Sequence, residues 1–122
     1  MKTDLHEISI ILKPDLDSVS ISVDEFTKAF DLFEAKVNNG PYPMTGYCNL
    51  TFGKPTHVIT RVSKIDESTY QARVGFLEGH PETGAMAKKL LAASLEDQVK
   101  WQFAVTRGPE TIEIFSIEAV LL

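Results

Sequence analysis

Cysteine is nearly missing from this chain. Cys48 is the only one, which excludes an intramolecular disulfide and any cysteine-built zinc site. A small buried hydrophobe is the role expected of it. Histidine is scarce as well. His6, His57 and His80 are the full set, and no two of them stand at metal-ligand spacing. No apolar run is long enough to cross a bilayer, so no membrane partner is expected. Positive charge is in deficit: 12 basic residues against 17 acidic ones leave a net charge of -5. That balance opposes sequence-independent attraction to phosphate backbones, and no basic stripe interleaved with aromatics offsets it, so nucleic acid is not an expected partner. Met1 to Glu7 carries charges where an export leader needs an apolar core, so secretion by a signal peptide is not expected. Gly-x-Ser-x-Gly elbows, phosphate-binding glycine loops and His-Glu-x-x-His helices are also missing. Neither a cofactor nor a metal is implied.

What the chain does contain is enough, at 122 residues, for one domain with its own core, 1–122. Its organising stretch runs from Tyr70 to Gly108. Tyr70, Ala72, Val74 and Phe76 alternate with polar or small neighbours, the period of a half-buried strand. Gly79 to Gly84 breaks the pattern with turn formers. Met86, Leu90, Leu91, Ala93 and Leu95 then fall on one apolar stripe of a helix from about Ala85 to Leu95. Val99, Trp101, Phe103 and Val105 alternate again, which turns Val105 inward and Thr106 outward.

Upstream, Leu5 to Leu12 reads as a strand ended by Lys13-Pro14-Asp15. Ser22-Val23-Asp24-Glu25 fits a capping box, and Ile21 and Phe26 are placed for a hydrophobic staple. The helix this starts should bury Phe26, Phe30 and Phe33 and run to about Val37. Asn38-Asn39-Gly40-Pro41 should stop it, with Gly40 in a left-handed turn. Pro41 to Gly46 reads as loop and Tyr47 to Phe52 as a short strand. Thr56 to Ile65 reads as a strand turning through Asp66-Glu67-Ser68 into a hairpin with the strand at Tyr70. In the last strand, Thr111 to Leu122, apolar parity changes near Phe115, as a β-bulge would cause. The order β-α-β-β-β-α-β-β indicates an α+β fold with two helices and a mainly antiparallel, barrel-like sheet.

Few residues offer chemistry. His6 reads as a surface residue of a terminal strand. His57 opens its strand, where it could face a cleft or simply bond a neighbouring carbonyl. His80 has Glu78 and Glu82 two residues to either side, an arrangement suited to proton transfer or interaction, although it lacks a second histidine. Arg107, in the turn Thr106-Arg107-Gly108, could hold an anion or a carboxylate.

Over Leu5 to Leu122 the order and spacing of these segments resemble the prohead proteases of tailed phages, the assemblin-related serine proteases that mature the capsid and its internal scaffold. Thr56-His57-Val58-Ile59 looks like that family's second strand, and Tyr70 through Gly84 like its third strand and loop. Ala85 to Leu95 looks like its helix, and Val105-Thr106-Arg107-Gly108 like the turn that holds its nucleophile. The family's two serines are replaced at that turn by Val105 and Thr106, and its catalytic histidine falls at or near Leu50. A valine can neither attack a carbonyl nor be activated by a base. The resemblance thus implies a degenerate, non-catalytic member acting by protein–protein contact in capsid assembly or structure, within the host cytoplasm or the virion. Two alternatives stand beside it. One is an active serine/threonine-type protease in which Thr106 attacks with His57 as base. The other is a small acidic phage-encoded binder that inhibits a host protein. An antiparallel sheet with an exposed edge could also support a homo-oligomer.

Overall fold

The computed structural model describes residues 5–41 and 43–122. The first four residues, part of the charged N-terminal segment, and Tyr42, within the segment read as loop, lie outside that description. Eight elements follow one another: β1 (His6–Leu12), α1 (Val23–Asn39), β2 (Met44–Tyr47), β3 (Pro55–Lys64), β4 (Tyr70–Phe76), α2 (Gly84–Leu95), β5 (Val99–Arg107) and β6 (Ile112–Leu121). The α+β class and the element order are those expected.

Local chemistry accounts for the best-defined helix. The Ser22 hydroxyl accepts from the Glu25 backbone N–H at 3.1 Å and the Glu25 carboxylate accepts from the Ser22 N–H at 3.3 Å, so the capping box forms in both directions. Phe26, Phe30 and Phe33 then recur on one face of α1 and are all buried. They meet Tyr70 and Phe103 in edge-on and tilted pairs at 4.6 to 6.2 Å between ring centroids. Aromatic pairs in such orientations contribute beyond their buried area, so this cluster is the centre of the core.

Around it the strands form two antiparallel sheets. One has the order β1-β4-β3-β2, and the other is the hairpin β5-β6. The β3-β4 hairpin closes through Asp66, whose carboxylate accepts from the Ser68 N–H at 3.0 Å. The bulge expected near Phe115 is present. Ala104 pairs with Ser116 and Val105 with Ile114, so Phe115 is the extra residue of β6 and its side chain is turned out. β2 and the two residues after it meet the second sheet at a bridge between Cys48 and Ala119, at bonds from the Asn49 N–H to the Ala119 carbonyl and from the Leu121 N–H to the Asn49 side chain, and at a 2.7 Å bond from the Ser116 hydroxyl to the Thr45 carbonyl. Among the described residues β1 and β5 share no backbone hydrogen bond. The strands therefore do not close into a barrel.

Three expectations need correction. Gly40 is extended (φ -71°, ψ 152°), not left-handed. Glycine is needed there for space, because a Cβ would come within 2.2 Å of the Lys36 carbonyl oxygen. The short strand is Met44–Tyr47, earlier than expected. Asn49 to Gly53 is a turn, in which the Thr51 hydroxyl meets the Cys48 and Lys54 carbonyls and Phe52 and Gly53 have positive φ. The buried face of α2 is Ala87, Leu90 and Ala93, while Leu95 points to solvent. A helix of this length presents a narrow stripe to the sheets, and the smaller alanines let it approach them closely.

Candidate functional site

His57 is fully buried and sits where the two sheets meet. Its Nε2 lies 2.8 Å from the Ile117 carbonyl oxygen of β6, and because a carbonyl only accepts, Nε2 carries the proton. Nδ1 is therefore the bare nitrogen, and it accepts from the buried Thr56 hydroxyl at 2.9 Å. Trp101 closes the ring edge-on with centroids 5.0 Å apart. Gly46, directly across the ladder, leaves the opening through which the imidazole reaches β6. A Cβ there would lie 2.2 Å from Nε2 and 2.5 Å from the Ile117 oxygen. Burial lowers the pKa of His57 to about 4, with the Ile117 carbonyl acting in the opposite direction. The imidazole is neutral, with both nitrogens engaged inside the protein.

Thr106 is not beside it. Ile117, which anchors His57, pairs with Phe103, and Thr106 lies three residues further along β5, about 10 Å at strand rise. The bulge falls in β6, and along β5 burial does not alternate as expected: Ala104 is its buried residue, with half-buried Phe103 and Val105 to either side. Thr106 is exposed, and Val105 is half-buried against the core. The structure does not bring Thr106 and His57 together. Leu50 stands in the Asn49–Gly53 turn with half its surface exposed.

Arg107 has partners of its own. Its guanidinium donates to the Glu25 carboxylate and to the Ser20 carbonyl, each at 3.3 Å, and so ties the end of β5 to the start of α1. The Ser22 backbone N–H, and after it Arg107, holds the Glu25 carboxyl below its ordinary range. His80 is turned onto the loop before α2, where Nδ1 accepts from the Glu82 and Thr83 N–H groups at 3.2 and 3.3 Å. Its flanking carboxylates are engaged elsewhere, Glu78 with His6 and Glu82 with Lys54. Lys54 also holds the Glu82 carboxyl below its usual range. No group of three or more His, Cys, Asp or Glu side chains among the described residues could hold a metal ion.

The feature that sequence reasoning missed is a groove of about 540 Å³ between β5 and the segment joining β1 to α1. Leu16, Trp101, Phe103 and Phe115 supply its apolar surface, and Lys13 and Lys100 stand at its rim. The only sequence signal for it was the parity change near Phe115. The pairing of Arg107 with the start of α1, which fixes one wall, left no local trace. No helix among the described residues is long and apolar enough to cross a membrane. No protein-family model, curated protein or solved structure matches the chain.

Proposed function

We propose that this domain works by protein–protein contact, without a catalytic step of its own, and that capsid assembly or capsid structure in a tailed phage is its setting. The observation that carries the reading is the state of His57. A general base must reach the proton it takes, and this imidazole is sealed behind Trp101 with both nitrogens occupied. Val105 at the nucleophile turn and Leu50 near the expected histidine position are consistent with it. An open apolar groove gives the surface something to hold a partner with. The phage setting rests on the order of segments in the sequence. The experiment is to incubate the purified protein at high concentration with phage capsid and scaffold proteins. Stoichiometric association without cleavage is expected. Specific cleavage that disappears on Thr106→Ala would overturn the proposal.

A further inference from the structure

β5 hydrogen-bonds along one side only. Its sheet has two strands, β6 is its single ladder partner, and no other described residue makes a backbone bond to it. The other side of a nine-residue strand therefore presents unpaired N–H and C=O groups, which act as a template for another extended chain. The groove runs along this strand. Its opposite wall, from Lys13 to Ile21, is fixed at two points. Asp15 closes a turn by accepting from the Ser18 N–H at 3.3 Å, and Arg107 holds the Ser20 carbonyl, at a residue with φ of 56°. The slot is thus built before anything enters it, which lowers the ordering cost of binding.

We infer that this slot receives an extended peptide segment of a partner protein, which adds a strand to the free edge of β5. The inference rests on the proposed role in protein–protein contact and names its surface. Three features define the occupant. Main-chain groups of a strand edge are matched by extended main chain, the mode in which backbone bonds give affinity and alternate side chains give specificity. The apolar surface from Leu16, Trp101, Phe103 and Phe115 selects apolar residues at every second position. The rim selects charge. Lys13 and Lys100 are exposed and have no ion-pair partner among the described residues; Asp15 and Glu118 also line the groove and keep their charge, but their carboxylates accept from the Ser18 N–H and from Gln102, and Arg107 is engaged by Glu25. The two lysines are the charged groups at the rim with no bond already made, so an acidic side chain on the segment can pair with them.

The test uses the full chain and a displayed library of random dodecapeptides, with selected peptides remade carrying a fluorophore. Selected sequences should alternate apolar and polar residues and carry Asp or Glu, and their binding should slow amide exchange across Val99–Arg107. N-methylation of alternate peptide amides should weaken binding at least tenfold in one parity and little in the other, because a strand offers only one edge to β5. Lys13→Glu combined with Lys100→Glu, two exposed changes that leave the core alone, should weaken binding about tenfold. The inference is overturned if no peptide is selected, if exchange slows only elsewhere, or if both methylated series bind equally. It is also overturned if β5 is already protected in the free protein through concentration-dependent pairing of two copies. Failure here is separable from failure of the broader proposal. Capsid or scaffold association that survives the double lysine variant unchanged would sink the slot alone, while absence of any association would sink the role in contact.

Discussion

His57 adopts its state because the elements around it leave no alternative. A Thr56 hydroxyl, an Ile117 carbonyl and an indole edge enclose it, and the missing side chain of Gly46 makes the room. Its pKa of about 4, against an ordinary 6.5, has a direct thermodynamic consequence. Below pH 6.5 the unfolded chain takes up a proton on this ring, and the folded chain does not until about pH 4. Stability therefore falls as pH drops through that window and is unaffected by this group above it. At 1.36 kcal/mol per pH unit, the loss between pH 7.5 and pH 5 should be about 2 kcal/mol. Glu25, Asp66 and Glu82 have lowered pKa values, so what they contribute is lost only at more acidic pH. Urea melts of wild type and His57→Gln at both pH values check this: the wild type should show the loss and the variant should be nearly flat. Equal slopes would mean that the imidazole is not sealed.

Among the elements, α1 was the most legible in sequence, because its start is specified by chemistry three residues apart and its buried face by three phenylalanines. Ser22→Ala removes one half of the capping box and should cost about 1 kcal/mol, read as a lower thermal midpoint with the core otherwise intact. The β3-β4 hairpin and the Phe115 bulge were legible for a similar reason, since alternation and its interruption are properties of neighbouring residues. β2 was not. Met44-Thr45-Gly46-Tyr47 contains a glycine where a strand would bury a side chain, and the reason lies in His57, opposite it in the ladder and eleven positions later in sequence. Gly40 misled in the same manner: the residue marks a helix end, but sequence alone does not distinguish a need for left-handed φ from a need for space beside Lys36. The partners of Arg107 were equally hidden. Its guanidinium meets Glu25 and Ser20, which only the assembled chain brings near, whereas the His80 ring caps N–H groups two and three residues on, within one local turn.

For the whole molecule, the arrangement is two sheets around one aromatic core, joined along β2 and β6 and left open between β1 and β5. Among the described residues one ionic contact, at the surface, braces the open side. Arg107 and Glu25 are both partly exposed, and such a pair contributes at most about 1 kcal/mol to global stability. Its local effect should be larger than its global one. Arg107→Ala should leave the unfolding midpoint nearly unchanged while limited proteolysis cuts the Lys13–Ile21 segment several-fold faster. An unaltered cleavage pattern would show that the wall stands without its brace.

The position of Trp101 has one more use. It is the only tryptophan in the chain, and its ring touches the one imidazole at the junction of the sheets. A charged imidazolium quenches indole emission, so the fluorescence of the unlabelled protein is an optical gauge of whether that junction is dry. Steady intensity down to about pH 4 reports a closed interior, and dimming at milder acidity reports that the sheets have begun to part.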